Sequence, residues 1–590
     1  MARVSVIIQT CARPRLLVRA VESARAASDA EVEVVVVDDA SADETAEVCR
    51  SLEGVRYVRL ERRQGAAGAR NVGLLASSGE YVALLDDEDR RLPGSLDVQI
   101  GKLEENPEAG FCCGPLLFAD AEGNPTGEMG APRAAEGSDV FWSLLRLDFF
   151  VRPAGVVMRR SALLAAGLLK TRLDGFADWD LWVRLAELFP VVTVGEPVGV
   201  CRKPARDSRR LFRHQRELLK LPRAAAAPPG ERRRVRWQTA RALGPSVCLE
   251  FYESLRERNV TKHESVAAAP EVAERVAGGE GGETVSVIIA THDRPRLVPR
   301  AVESALAAGR GVEVIVVDDA SPTDETERVC RRYEGVRYFR AARNQRLGGA
   351  RNIGILLSRG AFITFLDDDD TRLPGSLDAQ RDALLAEPGA DMVYGQALLE
   401  WADGDSGPEK FPAECPEGDL FWQLMERNFI PCPAVLFRRA ALLRVGLPQE
   451  TTPGEDWDCW LRIAEVGRVL AMPRPVATYR KGNPRSGQVT SGAAHMVREL
   501  TGLWRDSWQR RARVCADDAR RRLAWRAFSY NMATHLVWET GRALRHGRLR
   551  TAARNLWTAV ALHPLATLRR ALTPSNVRFL RKRLQGSWQS

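Results

Sequence analysis

No part of this 590-residue chain approaches the roughly 18 uninterrupted apolar residues that a membrane-spanning helix needs. Its first residues also lack the apolar core and the small-residue cleavage site of a secretion signal, so we expect a cytoplasmic protein. The sequence has seven histidines without an H-x-x-x-H spacing and 11 cysteines without a C-x-x-C pair. These absences disfavour a histidine or cysteine metal site and a disulfide framework.

Acidic residues are missing from the last 50 positions. Residues 541–590 contain 11 Lys or Arg and no Asp or Glu, whereas the whole chain has a net charge of +9, so the first 540 residues sum to −2. The arginines alternate with Leu, Trp and Phe, a pattern typical of an anionic membrane surface. We therefore consider peripheral attachment at the inner face of the membrane. The alternative is a helical cap packed on the preceding domain, and nucleic acid is a weaker candidate partner.

The sequence contains a long internal repeat. Residues 4–27 and 285–308 are identical at 18 of 24 positions, with an offset of 281. The similarity continues through VVVVDDAS and VIVVDDAS, GARNVG and GARNIG, and FADWDLW and GEDWDCW. We predict a first domain over 1–205, a helical segment and linker over 206–283, a second domain over 284–490 and a basic helical region over 491–590.

Short β-branched runs alternate with helical segments in each copy, which predicts an α/β fold with a parallel sheet covered on both faces. Ligands bind beyond the carboxyl ends of such strands, and here those ends carry acids. In the second copy the runs end in Asp318-Asp319 and in Asp367 to Asp370. Adjacent carboxylates repel one another unless a cation lies among them, which favours a divalent metal over a solvated acidic loop. The first strand has no G-x-G-x-x-G, which argues against a dinucleotide enzyme.

Taken in order, the motifs VSVIIxTxxRP, VVDDAS, GGARNIG, FLDDDD and GEDWDxWL resemble those of the inverting family 2 nucleotide-sugar glycosyltransferases. The resemblance covers about 400 of the 590 residues in two blocks. It implies two tandem GT-A-like domains, each followed by a helical segment. It also implies a transferase of the kind used in cell-surface polysaccharide biosynthesis, with Mn²⁺ or Mg²⁺ as cofactor.

The resemblance also implies roles for individual residues. Those that would bind the nucleotide-sugar are Thr291, Asp319, Arg351 and Asp367 in the second copy, and Thr10, Asp39, Arg70 and Asp86 in the first. Those that would hold the metal are Asp367 and Asp369, with Glu88 at the equivalent place in the first copy. The catalytic bases would be Asp456 and Asp178.

The sequence around Asp456 supports this role on physical grounds. Trp457, Trp460, Leu461 and Ala464 form an apolar stripe with helical spacing, so a helix is predicted to begin near Asp456. A carboxylate there could take the proton from an acceptor hydroxyl. The alternative is that Asp456 only interacts favourably with the helix dipole.

The two copies differ at these positions. Glu88 replaces the second aspartate of the acidic motif, and Ala177 replaces Glu455 beside the retained Asp178. We therefore expect a metal-dependent inverting glycosyltransferase that acts mainly through the second copy, with a UDP-sugar as donor and a saccharide, lipid-linked or protein acceptor. One alternative is a bifunctional enzyme in which each copy adds a different sugar, and another is a non-catalytic polyanion-binding protein.

Overall fold

The computed structural model describes residues 3–120, 124–130, 139–146, 151–173, 175–202, 214–215, 217–243, 281–401, 409–450, 454–481, 492–545 and 547–571. Most of the predicted linker, much of the first helical segment and the arginines of 578–583 lie outside the described residues. The chain forms two compact units. Unit 1 comprises residues 1–302, 311–363 and 438–450, and unit 2 comprises 303–310, 364–437 and 451–590.

The first copy lies wholly in unit 1 and alternates strands with helices, as the sequence predicts. Its elements are β1 Val4–Thr10, α1 Pro14–Ala26, β2 Val32–Asp38, α2 Thr45–Ser51, β3 Val55–Arg59, α3 Gly65–Ala76, β4 Tyr81–Asp86, β5 Arg90–Arg91, α4 Ser95–Glu104, β6 Phe111–Cys113, β7 Leu116–Ala119, β8 Pro125–Gly130, α5 Val140–Arg146, β9 Val156–Arg159, α6 Arg160–Ala166, α7 Ala177–Leu188, β10 Val191–Thr193 and β11 Gly199–Arg202.

A seven-stranded sheet forms the centre of this copy, with strand order β10-β6-β9-β4-β1-β2-β3. β1 pairs in parallel with β2 and β4, and β9 is antiparallel to β4 and β6. Successive residues of β2 enter different cores: Val34 and Val36 pack in one cluster, and Val35 and Val37 in another. The sheet is therefore covered on both faces, as its continuous apolar strands predicted.

The second copy repeats this order of elements. They are β12 Gly281–Thr291, α10 Val298–Leu306, β13 Val312–Asp318, α11 Glu325–Cys330, β14 Val336–Arg340, α12 Arg346–Leu357, β15 Gly360–Asp367, β16 Thr371–Arg372, α13 Ser376–Ala386, β17 Ala390–Trp401, β18 Glu409–Phe411, α14 Phe421–Glu426, β19 Val435–Arg438, α15 Arg439–Val445, α16 Glu455–Val466 and β20 Arg468–Lys481. In unit 1, β13 pairs in parallel with β12 and β14. In unit 2, β17 is parallel to β20 and antiparallel to β18 and β19.

Helices follow each copy, as predicted. Those after the first are α8 Pro222–Ala226 and α9 Pro229–Leu243, and those after the second are α17 Ala493–Asp506, α18 Ala512–Cys515, α19 Asp518–Arg545, α20 Leu549–Leu562 and α21 Pro564–Ala571. None of the helices within the described ranges is long and apolar enough to cross a membrane.

Within unit 1, parts of the two copies contact each other reciprocally. The backbone N–H of Glu61 donates to the carbonyl of Arg444 (3.0 Å), and the N–H of Ala342 donates to the carbonyl of Ala165 (3.4 Å). Glu61 and Ala342 hold equivalent places after β3 and β14, as do Ala165 and Arg444 on α6 and α15. Leu443 also packs on the first copy's core. The same surface of each copy is therefore used against the other, as in an isologous dimer.

Candidate active sites at the carboxyl ends of the strands

Three parallel strands of the first copy bring its predicted donor-binding residues to one sheet edge. Thr10 at the end of β1 pairs with Asp38 of β2, and the preceding Gln9 pairs with Asp86 of β4. The Thr10 hydroxyl donates to Asp87 at 2.8 Å. Arg70 of α3 forms an ion pair with Asp86 at 2.5 Å. The structure thus brings Thr10, Arg70 and Asp86 together.

Asp39 and Asp319 occupy equivalent places and hold equivalent loops. The Asp39 carboxylate accepts the backbone N–H groups of Gln64 (2.5 Å) and Gly65 (2.9 Å). The Asp319 carboxylate accepts the N–H of Gln345 at 2.5 Å, and its own N–H donates to the carbonyl of Thr291 at 2.8 Å. Burial raises the pKa of Asp39 and raises the pKa of Asp319 to about 7. Each aspartate fixes the start of the helix that carries Arg70 or Arg351.

The neighbouring Asp38 and Asp318 are buried and are hydrogen-bonded within their own copies. Each accepts a tyrosine hydroxyl, from Tyr57 at 2.7 Å or from Tyr338 at 2.8 Å. Each also accepts the backbone N–H of the serine three positions on, Ser41 or Ser321, at 2.8 Å.

Arginines surround the acidic cluster of the first copy, which consists of Asp86, Asp87, Glu88 and Asp89. Besides the Arg70–Asp86 pair, its ion pairs are Arg13 with Asp87 (3.0 Å) and Glu88 (3.4 Å), Arg152 with Asp86 (3.7 Å) and Asp89 (3.5 Å), and Arg202 with Glu88 (3.9 Å). Although burial alone would raise the pKa of Asp86, Arg70 and Arg152 hold that pKa below its usual value. Glu88, the predicted metal residue of this copy, is thus engaged by two guanidinium groups.

The acidic cluster of the second copy, Asp367 to Asp370, lies in unit 2, and its last aspartate differs from the equivalent Asp89 in its contacts. Asp369 and Asp370 are buried. Asp370 accepts the backbone N–H of Arg480 through Oδ1 at 2.8 Å, while its buried Oδ2 has no hydrogen-bond partner among the described residues. Burial and the charges of Asp367 and Asp369 raise the pKa of Asp370 well above its usual value. Asp370 therefore has one buried carboxylate oxygen that no described residue satisfies.

The two predicted bases begin equivalent helices. Asp178 lies at the start of α7 and Asp456 at the start of α16. The side chain of each accepts the backbone N–H of the next residue, Trp179 at 2.9 Å or Trp457 at 2.6 Å. Burial raises the pKa of Asp178, whose charged neighbours are Arg70, Asp86 and Arg152. Burial likewise raises the pKa of Tyr479, whose charged neighbours are Asp370, Asp367 and Asp456. Asp178 therefore lies near Asp86 of its own copy, and Asp456 shares Tyr479 as a neighbour with Asp367 and Asp370.

Thr291, Asp319 and Arg351 lie in unit 1, whereas Asp367, Asp369 and Asp456 lie in unit 2. Arg351 is buried on α12. Among the residues that the structure describes, no three His, Cys, Asp or Glu side chains form a group that could hold a metal ion. A cation that binds together with a donor diphosphate needs fewer protein ligands, since Mg²⁺ in nucleotide sites is held by one or two carboxylates plus phosphates.

Sequence reasoning missed two features. The first is the role of Arg152 in the acidic cluster. A comparison of the two copies could have drawn attention to it, because Pro431 stands at the equivalent position. The second is the role of Asp180 and Asp458, two positions after each predicted base. Asp180 binds Arg184 (2.7 Å) and His214 (2.8 Å), and Asp458 binds Trp508 Nε1 (2.9 Å) and Arg511 (3.0 Å). Each fixes the helical segment that follows its copy.

The comparisons with known proteins agree on a family. Residues 5–158 and 286–443 match the family model described as Glycosyl transferase family 2. An uncharacterized glycosyltransferase of Rickettsia bellii is 33% identical over 490 residues, which are 81% of this chain and 69% of that protein. Another, from Rickettsia conorii, is 22% identical over 488 residues, which are 81% and 79% of the two chains.

Two further matches are partial. The GalNAc(5)-diNAcBac-PP-undecaprenol beta-1,3-glucosyltransferase of Campylobacter jejuni is 32% identical over 145 residues, 24% of this chain and 46% of that protein. The crystal structure of Staphylococcus aureus TarS in complex with UDP-GlcNAc is 15% identical, with a TM-score of 0.30, and the match covers 47% of this chain and 91% of that one.

Proposed function

Because the chain belongs to glycosyl transferase family 2 and is a nucleotide-sugar glycosyltransferase, we propose that it performs metal-dependent, inverting sugar transfer mainly through its second copy. The observation that carries this proposal is the buried Asp370 oxygen, which has no hydrogen-bond partner among the described residues, in the acidic cluster beside Asp456. The first copy has a guanidinium at the corresponding place. Family membership favours an enzyme over the non-catalytic polyanion-binding alternative.

In this mechanism Asp456 accepts the proton of the attacking acceptor hydroxyl. Its carboxylate is anchored at the start of α16 by the Trp457 N–H and lies on the partly exposed side of the helix. Trp457 and Trp460 are buried, as the apolar stripe predicted, and their packing holds the helix in place. A carboxylate held in reach of a hydroxyl by a rigid element is suited to general-base catalysis.

Asp367 and Asp369 would hold Mn²⁺ or Mg²⁺ together with the donor diphosphate, and the cation would stabilise the charge that develops on the leaving phosphates. Oxygen ligands of this kind suit a hard cation. The buried Asp370 oxygen, which has no hydrogen-bond partner among the described residues, is also consistent with a nearby cation.

The donor we propose is a UDP-sugar, in line with the family resemblance. The acceptor we propose is a saccharide, lipid-linked or protein hydroxyl, and the Campylobacter relative, which is named for an undecaprenol-linked substrate, supports the lipid-linked case. The bifunctional alternative remains open because Asp178 keeps the place of the base.

The metal proposal predicts that EDTA and Asp369→Ala both abolish turnover. We expect release of nucleoside diphosphate from a panel of nucleotide-sugars to fall at least 100-fold in either case, since phosphate charge would then be unbalanced in the transition state. Asp382→Ala is the control because Asp382 is an exposed acid on α13. Full activity of the unmodified protein in EDTA would contradict metal dependence.

We also propose that α20 and α21 bind an anionic membrane surface. Both helices pack against α17 and α19 through small residues such as Ala559 and Ala566, which leaves another face open. Exposed apolar residues of the two helices include Trp557 of α20, 76% exposed, and Leu565 of α21, 70% exposed. Arg550 and Arg554 precede Trp557 on α20 at helical spacing, and both are exposed. The region is therefore a packed cap on one side and a basic apolar surface on the other.

The membrane proposal predicts that the full chain co-sediments with phosphatidylglycerol vesicles but not with phosphatidylcholine vesicles. Trp557→Ser combined with Leu565→Ser should lower binding at least 10-fold, since each buried side chain contributes about 1.5 to 3 kcal/mol. High salt should also weaken binding. Val98→Ser, which removes an exposed apolar side chain from the first copy, is the matched control.

Equal binding to both kinds of vesicle, or binding that the double variant does not change, would contradict the membrane proposal. A double variant that instead turns an oligomer into a monomer without lipid would assign this face to contacts between copies of the chain.

A further inference from the structure

Arg152 and Pro431 hold the same position in the two copies. The chain then forms a short 3₁₀ turn, Pro153–Gly155 or Cys432–Ala434, and enters β9 or β19. The turn closes in the same way in both: Gly155 N–H donates to the Arg152 carbonyl at 2.9 Å, and Ala434 N–H donates to the Pro431 carbonyl at 3.0 Å. The backbones are therefore equivalent, and the difference lies in the side chain.

The Arg152 side chain lies among the acids of the first copy. It is 14% exposed, and Nη2 lies 3.7 Å from Asp86 Oδ2 and 3.5 Å from Asp89 Oδ2. The other terminal nitrogen of the guanidinium, Nη1, donates to the Arg202 carbonyl at 3.1 Å. One fixed positive charge thus joins the first and last carboxylates of the cluster.

Asp89 and Asp370 hold equivalent positions in the two copies, and their contacts differ at one carboxylate oxygen. Each accepts a backbone N–H through Oδ1, Asp89 from Arg202 (3.4 Å) and Asp370 from Arg480 (2.8 Å). Asp89 Oδ2 faces Arg152, whereas Asp370 Oδ2 is the buried oxygen that lacks a partner among the described residues. Pro431 cannot supply a charge. The side chain of Arg480, whose backbone N–H donates to Asp370, pairs with Glu400 at 3.5 Å.

The first copy therefore does not fit the divalent cation that we propose for the second. A guanidinium already balances its carboxylates, and Glu88 is paired with Arg13 and Arg202. Guanidinium is permanently charged and forms short, paired hydrogen bonds with phosphate oxygens, so it can replace a cation as the partner of a diphosphate.

We propose that Arg152 takes the place of the divalent cation in the first copy, so that this copy binds a nucleoside diphosphate without metal. The proposal rests on the proposed function, because it assumes that both copies keep a nucleotide-sugar site. It assigns Arg152 a binding role and removes Glu88 from the metal ligands. The predicted metal role of Glu88 and this proposal are thus opposed, and one experiment separates them.

The test is calorimetric titration of the full chain with UDP, and in parallel with GDP and dTDP, first in EDTA and then in excess Mn²⁺. We expect one site per chain in EDTA and two in Mn²⁺. Asp39→Ala should remove the site that persists in EDTA, whereas the equivalent Asp319→Ala should leave it.

Arg152→Ala should weaken binding in EDTA about 10- to 100-fold, as expected for losing a charged hydrogen bond. Arg152→Lys should recover part of that loss because it keeps the charge. Arg50→Ala, which removes an exposed arginine from α2, controls for net charge. The stoichiometry of the unmodified protein is informative even if an Arg152 variant fails to fold.

Binding only in Mn²⁺ would overturn this inference and leave the proposed function intact. Two sites in EDTA, or an EDTA-resistant site removed by Asp319→Ala and not by Asp39→Ala, would also overturn it. Absence of nucleotide binding under both conditions would contradict the proposed function as well.

Discussion

Asp456→Asn should lower sugar transfer by about 100-fold or more and change nucleotide affinity little, because asparagine keeps the shape of the side chain and cannot accept a proton. The Asp456 carboxylate accepts the N–H of Trp457, a contact that the amide oxygen of asparagine preserves. The helix start should therefore stay intact. The measurement compares release of nucleoside diphosphate with calorimetric binding in the same protein.

Asp178→Asn is the matched control, since Asp178 begins the equivalent helix of the first copy. We expect it to remove little of the transfer, because Glu88 differs from Asp369 by one methylene and catalytic geometry is sensitive to about 1 Å. If each substitution abolishes a different sugar addition, the bifunctional alternative is correct. If only Asp178→Asn reduces transfer, the first copy is the active one.

Asp458→Ala should lower the free energy of unfolding of the second copy by about 3 to 5 kcal/mol, the usual cost of breaking a buried ion pair from one side. Its carboxylate binds Arg462 (2.9 Å), Arg511 (3.0 Å) and Trp508 Nε1 (2.9 Å). All four side chains are buried. Removing the carboxylate takes the shared counter-charge from Arg462 and Arg511, although Arg511 keeps its ion pair with Glu465 (2.8 Å).

The loss should be visible as a lower melting temperature and a lower urea midpoint of the Asp458→Ala chain. Asp456→Asn, two residues earlier and partly exposed, should change neither by a comparable amount. Equal effects of the two substitutions would mean that Asp458 does not anchor the helices that follow this copy.

The sequence was sufficient where the signal is local. The apolar runs predicted β1, β2 and β4, and the stripe from Trp457 to Ala464 predicted α16 with Asp456 at its start, which the structure confirms. The duplication predicted the repeated order of elements.

The sequence was insufficient where charges meet across long separations. Arg152 reaches acids more than 60 positions earlier, and Arg511 reaches an acid about 50 positions earlier. Neither spacing leaves a periodic pattern. Asp458 shares the first turn of α16 with Glu455 and Asp456, and the general electrostatic preference for acids there gives no sign of its specific contacts.

The reciprocal contacts between Glu61 and Arg444 and between Ala342 and Ala165 bear on how the two sites diverged. In a symmetric pair of identical chains, every substitution appears in both sites at once. Joining both copies in one polypeptide removes that constraint. An arginine can then occupy position 152 while a proline occupies position 431, so covalent linkage allows one molecule to carry two acidic clusters with different counter-charges.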